Sequence, residues 1–139
     1  MAAIREVLAD GVLKAIGELP ALADIRLERS LVRAIALRDI DVALAVTLGN
    51  DVADEVMGRT TWQTELLVHA IVRDDEPDRV SDDYLAMVHP VVKNFQHDRL
   101  MGIVITRIDE PVYGNVGGAA CVRTAYYRIE YQTTSDSLE

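Results

Sequence analysis

The first apolar positions recur at helical spacing. Ile4, Val7, Leu8, Val12, Ala15, Ile16 and Leu19 fall on one side, and Arg5, Glu6, Asp10, Lys14 and Glu18 take the remaining faces. This predicts an amphipathic helix that ends near Pro20. Between Asp24 and Ile40 the pattern is mixed: Ile25 and Leu27 alternate, while "SLVRAIALR" also fits helical spacing, and a short strand is expected. In "DVALAVTL" Val42, Leu44, Val46 and Leu48 share one face and the small Ala43, Ala45 and Thr47 the other, which predicts a strand stopped by Gly49-Asn50. The following "GNDVADEVMGR" has two glycines, three acids and little periodicity, so residues 49–59 are expected to form a long exposed loop.

The stretch "TTWQTELLVHAIVRDD", residues 60–75, holds the most suggestive chemistry, with Glu65 and His69 four apart and acids directly behind them. On a helix the two would share a face and could share a metal ion or a proton. However, Trp62, Thr64, Leu66, Val68, Ala70 and Val72 alternate with Thr61, Gln63, Glu65, Leu67, His69, Ile71 and Arg73, in residue types that favour strands. In a strand, four residues span about 13 Å, too far to share one ion. The even-numbered side chains are expected in the core, and Glu65, Leu67, His69 and Ile71 on an outer face.

Six acids lie between Asp74 and Asp83, but without the alternating ligands, central glycine and closing glutamate of a calcium loop. The run reads instead as a solvated loop leading to a helix capped by Ser81, with Asp82 and Asp83 in its first turn. Tyr84, Met87, Val88, Val91, Val92 and Phe95 then mark the apolar face of a second helix, expected to kink or restart at Pro90. His89 and His97 fall about 12 Å apart along it and read as surface residues. "GIVITRI" and "AACVRTAYYRIEY" read as two closing strands joined by a turn-rich loop over 109–118. Cys121, inside the last strand, reads as a small core residue, since no local signature supplies a base for a nucleophile.

Two helices and a mostly antiparallel sheet predict an α+β fold with both helices on one sheet face. The 139 residues suit one domain, assigned to 1–133, with 134–139 as a flexible C-terminal tail. A net charge of −9, distributed along the chain, opposes a phosphate-binding surface, so sequence-specific nucleic acid is not an expected partner. No apolar run approaches the length that spans a bilayer, and no membrane association is expected. A single cysteine excludes a disulfide within the chain, and Arg5, Glu6 and Asp10 interrupt any secretory signal, which suggests cytoplasmic synthesis. Glycine-rich phosphate loops, zinc spacings and serine elbows are missing from the sequence, so no cofactor or metal is expected. A small enzyme built on Glu65, His69, Asp74 and Asp75 is the contrasting possibility, and these residues lie along an extended segment instead of converging.

The order of elements from "DVALAVTL" through "TTWQTELLVHAIV", the helix with "MVHPVV" and the closing "AYYRIEY" resembles the tail-terminator family of long-tailed phages, the minor tail protein U type. The resemblance covers roughly the last two-thirds of the chain, with "TWQTEL" as its most specific element. It implies a non-enzymatic virion protein made in the host cytoplasm. Its subunits would close into a hexameric ring on the tail tube protein, stop tail polymerisation and present a joining surface to the head-side connector. Another phage neck or tail-completion protein would share fold and ring symmetry. A closed head-to-tail ring needs two different patches per subunit. The outer face (Glu65, Leu67, His69, Ile71) and the two expected loops (Asp51, Asp54, Glu55, Arg59, Tyr113 and Asn115) are the candidates.

Overall fold

A computed structural model describes residues 2–36, 41–114 and 120–139. It is an α+β fold: a six-stranded, mostly antiparallel sheet with helices on both faces. In chain order the elements are α1 (Ile4–Gly17), β1 (Arg26–Glu28), α2 (Leu31–Ala36), β2 (Val42–Val56), β3 (Arg59–Arg73), α3 (Pro77–Lys93), β4 (Leu100–Ile108), β5 (Val112–Tyr113) and β6 (Ala120–Thr134). The sheet order is β1-β2-β3-β6-β4, with β5 also along β6. Among the described residues, only the β1–β2 pair is parallel.

The core forms where the even-numbered side of β3 meets α1 and α3. Leu66, Val68, Ala70 and Val72 join Leu44 and Val46 of β2 and Ala125, Tyr127, Ile129 and Tyr131 of β6 beneath Ile4, Leu8, Val12 and Ile16 of α1 and Leu85, Val88 and Val92 of α3. The alternation of β3 therefore sorts its side chains as expected, because a one-residue slip would bury Gln63, Glu65 and Arg73 together. Both long helices lie on this face. A third, shorter helix, α2, packs on the other face, where Ala34 meets Ala43, Ala45 and Ile71. The segment 24–40, expected as one short strand, is thus a three-residue strand followed by a helix, with 37–40 outside the described residues.

Residues 49–59 correct the expected loop. β2 continues through Val56, and a two-residue turn, Met57-Gly58, leads into β3. Leu48 pairs with Leu66 and Asp51 with Thr64, so Gly49 and Asn50 together oppose Glu65. This β-bulge reverses which parity faces the core, and a period-two reading fails across it. Before the bulge Leu44 and Val46 point inward; after it Asp51 lies opposite Thr64 and Ala53 opposite Trp62. The Glu65 carboxylate accepts the Asn50 N–H at 3.0 Å, latching the bulge. Met57 and Gly58 take φ of 51° and 82°, the positive pair that a type I′ hairpin turn needs.

α3 also departs from expectation. Pro77 occupies the first turn with Glu76 as N-cap, four residues before Ser81, because proline's fixed φ suits a helix start. Ser81 is buried within the helix, its hydroxyl donating to Asp78 O at 2.7 Å. The buried stripe runs Pro77, Ser81, Leu85, Val88, Val92, which leaves Met87 exposed. The helix passes Pro90 without restarting; one turn from the end, the Pro90 carbonyl still accepts the Asn94 N–H at 3.0 Å. His89, expected at the surface, is half-buried, hydrogen-bonded to the Tyr127 hydroxyl at 2.8 Å and stacked on its ring. Beyond β6 the chain turns back, and Leu138 O accepts the Ile4 N–H at 3.0 Å.

Candidate functional site: the outer face of the sheet

Strand pairing assembles the outer face. β3 and β6 pair Glu65 with Arg128, Leu67 with Tyr126, His69 with Thr124 and Ile71 with Val122. All four candidates on β3 therefore share a face with Val122, Thr124, Tyr126 and Arg128 of β6. Their environments differ along the strand. Ile71 is buried beneath α2, whose Leu31 and Ala34 lie in the same cluster. Leu67 and Glu65 are half-buried, and toward the hairpin the face opens. Here Val52 (63% exposed) and Met101 (56%) border a shallow trough of about 480 Å³ whose floor includes Gln63, Glu130 and Gln132. At the β4 side Arg107 stacks over the Tyr126 ring, 3.7 Å from its centre.

His69 is only 4% exposed. Its ring bridges Thr47 Oγ1 at 2.8 Å and Thr124 Oγ1 at 2.7 Å across three strands. Burial pushes its pKa down to about 4, so at neutral pH the ring is uncharged and acts as a strut between strands. It lies four residues along β3 from Glu65, whose carboxylate is engaged by the bulge. Asp74 accepts the Glu76 N–H beyond the strand end. Glu65, His69 and Asp74 therefore hold separate local partners. Among the described residues, no three His, Cys, Asp or Glu side chains come together closely enough to hold a metal ion. An open hollow of about 570 Å³ lies between the end of α3 and β4, lined in part by Phe95, His97 and Ile103. Glu65, His69 and Asp74 are not among its lining residues.

The remaining candidates separate. The bulge turns Asp51 toward the helices, where it pairs with Arg5 and accepts the Thr64 hydroxyl at 2.5 Å, itself bonded to Tyr131. Asp54, Glu55 and Arg59 are exposed near the hairpin end, and Tyr113 is exposed on β5. Asn115 lies outside the described residues. Sequence reading missed Val52 and Met101, since Val52 fell in the supposed loop and Met101 just ahead of the supposed strand. The break in alternation at Gly49-Asn50 was the available signal. Among the described residues, no helix is long and apolar enough to cross a membrane. No protein-family model matches this chain, and no curated protein matches it.

Proposed function

We propose that this chain is a non-enzymatic structural subunit that closes into a ring, hexameric by resemblance, on the end of a phage tail tube and provides the surface to which the head-side connector joins. The observation that carries this reading is the uneven cover of the sheet. One face carries both long helices, α1 and α3, which bury the core side chains of β2, β3 and β6. On the other, α2 covers only the end around Ala43, Ala45 and Ile71, leaving Val52, Met101 and Val104 exposed toward the opposite end. Apolar side chains collected on one side of a sheet suit a subunit contact better than open water. The dispersal of Glu65, His69 and Asp74 into separate hydrogen bonds supports structural over catalytic use of these groups.

The test includes the tube. Purified protein is expected to give rings by native mass measurement at high concentration, to decorate tail-tube ends under negative stain, and to restore normal tail length and head joining to tails made without it. Absence of rings and of end binding, together with normal tails in its absence, would overturn the proposal.

A further inference from the structure

The sheet has two margins, and among the described residues each carries strand edge with no strand beyond it. On one side β1 pairs only with Ala43–Ala45, leaving β2 from Val46 to Val56 open. On the other, β4 is the outer strand. Following the pairs across the sheet, Ala53, Trp62, Tyr131 and Leu100 form one row, and Val46, Val68, Ala125 and Ile108 another. The open part of β2 and the whole of β4 therefore occupy the same rows on opposite margins. β1 and β5 sit together at one end of the sheet, since Ala43 and Val122 share a row through Ile71. Because every pair from β2 to β4 is antiparallel, β2 and β4 run in opposite directions. A second copy rotated into place beside the first would thus present its β2 antiparallel to β4.

Charge and polarity match across these margins. Residues 46–56 carry Asp51, Asp54 and Glu55 and no base, while residues 99–108 carry Arg99 and Arg107 and no acid. Asp51 is held by Arg5, and Arg107 by Asp109 at 3.0 Å; of the exposed acids that remain, Glu55 pairs with the buried Thr60 and lies on the helix side of the sheet, which leaves Asp54 and Arg99 as the facing exposed charges. They belong to one row: Arg99 donates to Gln132 O at 2.9 Å, and Gln132 pairs with Thr61, which pairs with Asp54. Two rows along, on the same face, Val52 connects through Gln63 and Glu130 to Gly102, beside Met101. Exposed apolar side chains thus lie on both margins at the same height.

Each margin is also guarded. Arg29 donates to Val46 O at 2.8 Å, Lys93 donates to Ile103 O at 2.7 Å, and bulges interrupt both strands. Such interruptions discourage an arbitrary extended segment from adding to a sheet edge. A partner that fits must bring short runs at matching heights with the opposite charge, which a second copy does.

We propose that the β4 margin of one copy seats antiparallel against the β2 margin of the next, with Arg99 facing Asp54 and Met101 facing Val52 across the seam. This rests on the ring reading above and specifies its contact: a heterologous, head-to-tail seam, which rotation can close.

Cross-linking tests it. Val52→Cys and Met101→Cys chains are mixed at high concentration and treated with a short bis-maleimide; Cys121 is buried and its thiol is pushed up by that burial, so it stays unreactive. The seam predicts 52–101 links in the mixture, mapped by peptide mass, and a ladder of linked chains when both cysteines are on one chain. Arg99→Glu is expected to lower the yield of this link roughly tenfold, and adding Asp54→Arg to restore it. Rings by native mass with no 52–101 link, or with 52–52 and 101–101 links only, overturn the seam and leave the ring standing. Links with open chains and no tube-end binding support the seam and overturn the ring. Neither links nor rings overturns both. A yield insensitive to Arg99→Glu overturns the assigned row.

Discussion

At the scale of single residues, His69 shows how burial changes the role of a chemically suggestive side chain. Its ordinary pKa of 6.5 is lowered to about 4 because the ring is buried, so the unfolded chain takes up the proton first as pH falls. The stability His69 contributes is complete above pH 6.5 and is lost as pH falls toward 4. By the usual linkage it amounts to on the order of 3 kcal/mol at most. Unfolding free energy measured by denaturant across that window should therefore fall more steeply for the native chain than for His69→Gln; parallel curves would remove the assignment. Met57 makes a different point. It holds φ of 51° while 98% exposed, a conformation that costs a residue of its type about 1 kcal/mol. Met57→Asn, suited to the same turn, should raise stability by about that amount, read as an increase in the denaturant midpoint at constant slope.

At the scale of elements, the β2–β3 hairpin depends on the bulge. A methyl group added at Gly49 would stand 2.7 Å from the Glu65 carboxylate, 3.0 Å from Glu65 Cβ and 3.2 Å from Leu67 Cδ1. Gly49→Ala should accordingly cost about 1–3 kcal/mol. Glu65→Gln, which keeps an oxygen for the Asn50 N–H, should stay within about 0.5 kcal/mol of the native chain. Equal, small losses for both variants in urea unfolding would show that the bulge makes room for the added methyl group. The same bulge accounts for the misplaced loop, because it lets a strand with no continuous alternation remain paired over its whole length.

At the scale of the whole molecule, charge opposes assembly. Each copy carries −9, while an exposed seam pair of the Arg99–Asp54 kind contributes only about 0.2–1 kcal/mol. Repulsion between copies therefore outweighs the pair at low ionic strength. Ring formation measured by sedimentation should strengthen between about 30 mM and 300 mM salt as that repulsion is screened. Weakening over this range would mean that ion pairs dominate the contact. The tube end would favour the ring further by raising the local concentration of subunits.

The sequence by itself determined what repeating patterns encode: α1, the core side of β3, the closing strands, the buried Cys121 and the α+β class. In each, the side chains repeat with the period of the element, and burial of the apolar side selects one register. Tertiary structure decided the rest. The strand character of residues 49–56 comes from the backbone ladder with β3, to which side-chain periodicity is blind once a bulge reverses parity. Ser81 yielded the helix start to Pro77, and His89 became half-buried because Tyr127, distant in sequence, lies beside it. The outer face was legible on β3 alone; pairing with β6 brought Val122, Thr124, Tyr126 and Arg128 alongside it. The two margins became visible only with the order of the strands, because which strand lies at an edge is a property of pairing between distant segments and not of any one of them.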